Sequence, residues 1–137
     1  MAYKTILLVE DNPDEEVLMV RALRKNNIID KIIIARDGAE AIKAIESEDR
    51  IDVVFLDLNL PVMGGMDVLS YVRSKSGLNN IPIVILSSSK EDADITRSYQ
   101  LGANSYVNKP IDFSDFTSTV KSLGAYWLNI NRLPSEG

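Results

Sequence analysis

Five polar or ionisable residues follow short apolar runs of this chain, each near the point where a run ends. They are, in chain order, Glu10, Asp11, Asp57, Ser87 and Lys109. A carboxylate can act as a nucleophile on phosphorus, and a phosphoryl group in transfer needs positive charge and hydrogen-bond donors around its oxygens. If the fold brings these residues together, Asp57 is predicted to accept a phosphoryl group, while Lys109 and the Ser87 hydroxyl hold its oxygens.

The elements that must position these residues alternate along the chain. Short β-branched runs predict five strands, near Thr5–Val9, Lys31–Ala35, Val53–Leu56, Ile83–Leu86 and Ser105–Val107. Stretches of helical periodicity predict a helix that begins after Pro13 and four more, near Ala39–Glu46, Met66–Lys75, Glu91–Leu101 and Ser114–Leu128. This alternation is typical of βαβ units. We predict an α/β fold with a doubly wound, five-stranded parallel sheet in the flavodoxin-like order 2-1-3-4-5, helices on both faces and buried strands.

The start of the first helix carries several acids. Asp14, Glu15 and Glu16 complement the positive end of the helix dipole, and Asp14 is predicted to cap the helix. The helical period predicts that Val17, Val20 and Leu23 face inward. Gly102 stands where the residue after the fourth helix is expected.

The acids after the first and third strands predict a metal site. In the order 2-1-3-4-5 these strands are neighbours about 4.8 Å apart, so Glu10, Asp11 and Asp57 crowd one another. Like charges in such a cluster destabilise the fold unless a cation neutralises them. Carboxylates without His or Cys suit Mg²⁺, and the backbone oxygen of Asn59 is a further predicted ligand. Lys109 lies two strands from Asp57, roughly 10 Å across the sheet, which its long side chain can mostly bridge.

Composition limits the classes of partner. Fifteen basic and 20 acidic residues give a net charge of −5, and no Lys/Arg cluster is long enough to follow a row of phosphates, which argues against direct nucleic-acid binding. The chain has no histidine, so a phosphohistidine donor must belong to another molecule. We see no signal-peptide pattern and no stretch of roughly 20 apolar residues, and therefore expect a cytoplasmic protein without membrane contact.

The length of the chain limits the number of domains, and its cysteine content limits the kinds of cross-link and metal site. The 137 residues, 45% of them hydrophobic, suit one globular domain over residues 1–137, with 124–137 as an extended C-terminal helix and tail. The absence of cysteine excludes disulfides and thiolate metal sites.

Four motifs together strongly resemble the receiver domains of two-component response regulators. They are Val9-Glu10-Asp11-Asn12-Pro13, Leu56-Asp57-Leu58-Asn59-Leu60-Pro61 with Gly64-Gly65, Leu86-Ser87-Ser88, and Lys109-Pro110. The resemblance covers about Thr5 to Val120. It implies that Asp57 receives a phosphoryl group from a partner histidine kinase and becomes a 4-aspartylphosphate. It further implies that Glu10 and Asp11 hold the metal directly or through water, that Lys109 contacts the phosphoryl group, and that the Lys109–Pro110 peptide is cis. Many members have Asp at the position of Glu10, which leaves open how Glu10 reaches the metal.

The resemblance also implies how a signal leaves the domain. Tyr106 matches an aromatic residue that turns inward when Ser87 moves toward the phosphoryl group. The negative charge of the phosphoryl group then shifts the equilibrium of a two-state loop and changes the face around the fourth and fifth helices. A partner protein recognises the changed face. A receiver domain of this kind catalyses only its own phosphorylation and dephosphorylation. A downstream protein and a phosphotransfer partner both remain open as the recipient of the signal.

The C-terminal segment Ala125–Pro134 is rich in aromatic and aliphatic residues. One interpretation is that Trp127 and Leu128 simply close the core. The other is an interface, because aromatic residues are favoured at the centres of protein contacts. The tail resembles that of small single-domain regulators paired with phytochrome-type histidine kinases, which implies a homodimer through the C-terminal helix region or the face of the fourth and fifth helices.

Three other functions fit the sequence less well. An aspartate-nucleophile phosphohydrolase places a second acid two residues after the nucleophile, where this chain has Asn59. A nucleotide- or flavin-binding module needs a phosphate cradle after the first strand, where Glu10 and Asp11 repel phosphate. A degenerate receiver that acts only as a scaffold is disfavoured by the intact set of acid, hydroxyl and amine.

Overall fold

The fold is built on one parallel sheet. The structure is a computed structural model that describes residues 4–25, 29–75 and 77–132, without the side chain of Asp30. Its strands are β1 (Lys4–Val9), β2 (Ile29–Ala35), β3 (Val53–Leu56), β4 (Ile83–Ser87) and β5 (Ser105–Asn108). All neighbouring pairs are parallel and the order is β2-β1-β3-β4-β5, which confirms the predicted topology.

Among the described residues, five α-helices connect and follow the strands. They are α1 (Pro13–Leu23), α2 (Gly38–Ser47), α3 (Gly65–Ser74), α4 (Asp92–Gln100) and α5 (Phe113–Ala125). Gly102 follows the end of α4 with a φ of +106°, a conformation that glycine adopts without strain, as predicted for the residue after this helix. No helix within the described ranges combines the length and the apolar character needed to cross a bilayer.

Both faces of the sheet are buried because alternate residues of each strand point to opposite sides. One core holds residues of β1, β3 and β4 together with α1 and α5, among them Ile6, Phe55, Met19, Phe116 and Val120. The other holds the alternate strand residues together with α2 and α3, among them Leu7, Leu56, Ile45, Val68 and Leu69. The two edge strands, β2 and β5, are only partly buried, unlike the fully buried strands that we predicted, because each has a neighbour on one side only.

The first turn of α1 differs in detail from the prediction. Asn12, rather than Asp14, is the N-cap, and its side-chain oxygen accepts from the backbone N–H groups of Asp14 and Glu15 at 2.9 and 3.1 Å. The Asn12 side chain therefore satisfies two of the unpaired donors at the helix start. Leu23 faces the core as predicted, but Val17 is 48% exposed and lies on the outer face.

The C-terminal segment continues α5 as a π-helical turn, Tyr126–Ile130. Leu128 is buried in the core formed with α1 and α5, and Trp127 packs against it. Tyr126 and Ile130 remain 44% and 66% exposed. The segment thus closes the core with one side and presents apolar surface with the other. The predicted tail beyond residue 132 lies outside the described residues.

Candidate functional site

The three acids converge where β1 and β3 end side by side. Val9 pairs with Leu56 in the register of these strands, and the N–H of Asp57 donates to the Val9 carbonyl at 3.1 Å. One carboxylate oxygen from each of Glu10, Asp11 and Asp57 lies within 4.8 Å of the others. Glu10 and Asp57 are buried, whereas Asp11 is exposed. The predicted acid cluster is therefore present, with one of its members open to solvent.

The amine of Lys109 lies inside this cluster. Its Nζ is 2.9 Å from Glu10 Oε1, 3.0 Å from Asp57 Oδ2 and 2.9 Å from an oxygen of Glu15. The backbone N–H of Lys109 donates to the Ser87 carbonyl at 2.8 Å, which ties the residue to the end of β4. The structure thus brings together four predicted site residues and adds Glu15 to them. The four are Glu10, Asp11, Asp57 and Lys109.

The predicted cis peptide between Lys109 and Pro110 is wrong. The described part of the chain contains no cis peptide bond. The trans peptide still lets the amine enter the site. The backbone N–H of Lys109 is hydrogen-bonded to the end of β4, and the long side chain reaches both Glu10 and Asp57 from there.

Burial and oppositely charged neighbours have opposite effects on the pKa values of Glu10 and Lys109. Burial raises the pKa of Glu10 from 4.5 to about 7; the hydrogen bond and charge of Lys109 oppose this rise, and the Asp57 charge adds to it. Burial alone acts to lower the pKa of Lys109, but attraction to Asp57, Glu10 and Glu15 outweighs it and the pKa is raised. Lys109 is therefore a permanent cation at neutral pH, while Glu10 can exchange a proton there.

The donor set fits a hard divalent cation. Three carboxyl groups, those of Glu10, Asp57 and Glu15, contact the single amine, and Asp11 lies beside Glu10 and Asp57, so the carboxyl groups outnumber the amine. All the available ligand atoms are oxygens, which is the coordination that Mg²⁺ and Mn²⁺ accept. Burial is the main reason why the pKa of Glu10 stays high beside an amine, and the charge of Asp57 adds to the effect.

The loop after β3 shapes the surroundings of Asp57. The N–H of Asn59 donates to Asp57 Oδ1 at 3.1 Å, which places the Asn59 peptide next to the carboxylate. The N–H of Gly65, at the start of α3, donates to the Leu58 carbonyl. A Cβ at Gly65 would lie 2.3 Å from the Asp57 carbonyl oxygen, so only glycine allows α3 to begin this close to Asp57.

Ser87 is the last residue of β4, which lies on the opposite side of β3 from β1 and its acids Glu10 and Asp11. Its side chain is fully buried, and its hydroxyl oxygen accepts from the N–H of Ser89 at 3.1 Å. The carbonyl of Ser89 in turn accepts from the Tyr106 hydroxyl at 2.9 Å and from the Asn108 amide at 2.7 Å. Tyr106 thus points inward and holds the loop between β4 and α4 against β5.

Sequence reasoning missed two members of this arrangement. Glu15 was interpreted only as a favourable charge in the first turn of α1, because its contact with Lys109 depends on where that turn lies relative to the end of β5. Asn108 carries no local signal either, because its contact with Ser89 depends on the path of the loop after β4.

The chain is similar to known regulatory proteins over most of its length. Residues 6–121 match the family model of the response regulator receiver domain. The chain is 37% identical to the probable methanogenesis regulatory protein FilR2 of Methanothrix harundinacea, over 94% of this chain and 86% of that protein.

Solved structures agree in fold and in length. The phosphorylated cyanobacterial phytochrome response regulator RcpA superposes with a TM-score of 0.93 at 36% identity, over 98% of this chain and all of that one. The Mn²⁺-bound form of response regulator Rcp1, a Synechocystis protein, superposes with a TM-score of 0.90 at 33% identity, over 96% and 99% of the two chains. With its parallel sheet and its acids at the ends of β1 and β3, the chain belongs to the response regulator receiver domains of two-component signalling.

Proposed function

We propose that Asp57 is the phosphoacceptor of this receiver domain. The observation that carries the proposal is the position of its carboxylate, which shares a cluster with Glu10 and Asp11 and contacts the Lys109 amine at 3.0 Å. Asp57 is 6% exposed, so the charge that develops on an incoming phosphoryl group meets the amine in a largely water-free setting, where electrostatic stabilisation is strong.

The proposed reaction forms one bond and breaks another. A carboxylate oxygen of Asp57 attacks the phosphorus of a phosphohistidine, the P–N bond breaks, and the imidazole leaves with its electron pair and takes up a proton. The Lys109 amine exchanges an Asp57 contact for one with a phosphoryl oxygen, and the Ser87 hydroxyl donates to another. The donor is in trans because the chain has no histidine.

Mg²⁺ is the proposed cofactor, held by Glu10, Asp11, Asp57 and the backbone oxygen of Asn59. The ion supplies a positive charge that offsets repulsion between the acids and the phosphoryl oxygens. Two observations support this assignment: the excess of carboxylates over amines in the cluster, and the Mn²⁺ bound by the similar protein Rcp1.

The proposed donor is a sensor histidine kinase of the phytochrome-linked type. The similar protein RcpA is described as a cyanobacterial phytochrome response regulator and is phosphorylated in its structure. The similarity extends over nearly the whole of both chains and thus includes the C-terminal segment, which is why this type of kinase is preferred over others.

The proposed output uses Ser87, Tyr106 and the face formed by α4, β5 and α5. A phosphoryl group on Asp57 offers Ser87 a new acceptor, and movement of Ser87 alters the Ser89 loop that Tyr106 holds by its hydroxyl. A partner protein then reads the changed face. Tyr126 and Ile130 supply exposed apolar surface for a homodimer through the C-terminal helix region.

The acceptor is tested by intact-protein mass spectrometry after incubation with Mg²⁺ and acetyl phosphate. We expect one phosphoryl adduct in the wild type and none in Asp57→Asn. Asp52→Asn is the matched control, because Asp52 is equally buried but lies at the other end of β3, where it accepts from the N–H of Thr5. An adduct that persists in Asp57→Asn, or that disappears equally in Asp52→Asn, would remove the assignment.

A further inference from the structure

A second polar cavity lies at the opposite end of the sheet from the acid cluster. Its volume is about 340 Å³, and its walls come from the end of α3, the segments that lead into β4 and β5, and the C-terminal π-helical turn with the two residues after it. This volume falls within the range of roughly 300–1,000 Å³ that is usual for sites of small organic ligands.

The cavity is cationic in an acidic protein. Two arginines, Arg73 and Arg132, line it, and neither makes an ion pair within the described ranges. The described lining otherwise consists of asparagine, proline, glycine and tryptophan, without Asp or Glu. Because the whole chain has a net charge of −5, this local reversal of sign marks the cavity as a place where an anion is attracted.

Neutral oxygens hold Arg73 in place. Its Nε donates to the Gly102 carbonyl at 2.8 Å, its Nη1 to the carbonyls of Asn79 and Ile81 at 3.1 and 2.8 Å, and its Nη2 to Asn104 Oδ1 at 2.7 Å. These contacts use four of the five guanidinium N–H groups and leave one. They orient the group without cancelling its charge, since none of the partners is ionised.

Asn104 and Arg132 add further donors. The Asn104 oxygen accepts from Arg73 and from the N–H of Ile83, at 2.7 and 2.8 Å, which determines the orientation of the amide. Its NH₂ group has no partner in the part of the chain that the structure describes. Arg132 is exposed and lines the same cavity. An oxyanion therefore meets the oriented donors of Arg73 and Asn104 and the second cationic group of Arg132.

Trp127 supplies a flat apolar wall to the same cavity. The indole is half-buried, and its edge-to-face contact with Tyr126, at 5.2 Å between ring centroids, restrains it. We propose that the cavity binds a small organic phosphate whose phosphate meets Arg73, Asn104 and Arg132 and whose planar ring lies on Trp127. A nucleoside monophosphate has this chemistry, whereas inorganic phosphate alone is far too small to fill the volume.

The test uses adenosine monophosphate and the full-length chain in EDTA, which keeps metal out of the acid cluster. Trp127 is the single tryptophan of the chain, so its fluorescence reports on a wall of this cavity. We expect a saturable fluorescence change and a matching heat in calorimetry. Arg132→Glu is expected to weaken binding about tenfold or more, the usual effect of losing a charged hydrogen bond. Arg97→Glu, the same charge change on the exposed surface of α4, leaves the Kd as in the wild type.

Ligand fragments and a second variant complete the test. Adenosine and inorganic phosphate are each expected to bind more weakly than adenosine monophosphate, and Trp127→Phe is expected to reduce the heat of binding. Asp57→Asn keeps the wild-type Kd, which separates this cavity from the phosphoacceptor site. The proposal is overturned if no saturable signal is found, if adenosine binds as well as its monophosphate, or if Arg132→Glu and Arg97→Glu have equal effects.

Discussion

Replacing Lys109 by methionine is the sharpest perturbation of the acid cluster. Methionine keeps much of the aliphatic stem but removes the amine that lies 2.9–3.0 Å from Glu10, Glu15 and Asp57. The side chains of Lys109, Glu10 and Asp57 are only 10%, 2% and 7% exposed, so water cannot replace the lost cation fully. Removing one partner of a buried ion pair costs about 3–5 kcal/mol.

The lower end of that range is expected for Lys109→Met without metal. The pKa of Glu10 is already about 7, so Glu10 can take up a proton at neutral pH and relieve part of the repulsion. A loss of about 3 kcal/mol corresponds to a decrease in Tm of roughly 10 °C for a domain of this size. The measurement is urea and thermal unfolding followed by circular dichroism in EDTA, with the exposed Lys121→Met as the control.

Added Mg²⁺ then distinguishes a cation-binding cluster from a simple structural ion pair. At a concentration about 100 times its Kd, a bound ion adds about 2.7 kcal/mol to the stability of the folded state. The stabilisation is expected to be larger in Lys109→Met than in the wild type, because more uncompensated negative charge faces the ion. The reasoning is refuted if the variant is as stable as the wild type in EDTA, or if Mg²⁺ stabilises neither protein.

Three further outcomes follow from the same geometry. In EDTA, Asp57→Asn is expected to raise the stability by about 1 kcal/mol, because the acids outnumber the amine and Lys109 keeps Glu10 as a partner; urea unfolding measures this. The raised pKa of Glu10 means that metal-free stability falls as the pH rises from 4.5 to about 7, and that Mg²⁺ binding near neutrality releases a proton, which calorimetry in buffers of different ionisation heat detects. Gly65→Ala is expected to destabilise the fold by about 1–3 kcal/mol and to slow acetyl phosphate labelling, whereas Gly64→Ala, whose Cβ would meet nothing closer than 3.7 Å, changes both little.

Each of these outcomes has a contrary result. A less stable Asp57→Asn would show that the carboxylate is a net stabilising partner of Lys109. Mg²⁺ binding without proton release near neutrality would show that Glu10 is ionised before the ion arrives. Equal effects of Gly64→Ala and Gly65→Ala would mean that the close approach to Asp57 is not what requires glycine.

The parallel sheet and the identity of the acids were predictable from local patterns. Apolar runs such as Val53–Leu56 and Ile83–Leu86 can only be buried on both faces, which requires a parallel sheet covered by helices. Once the order of the strands is known, the residue after each strand must lie at one edge of the sheet, and this predicts that Asp57 lies beside Glu10 and Asp11.

The sequence by itself therefore identified the acids and the amine that meet at this edge of the sheet, because residue types and periodicity are properties of neighbouring positions. Only the tertiary structure decided how Lys109 is shared among Glu10, Glu15 and Asp57, residues as many as 99 positions apart from it. It also decided the trans peptide after Lys109 and the depth of burial that raises the pKa of Glu10. These features depend on strand register, loop path and side-chain conformation, which no local pattern in the chain encodes.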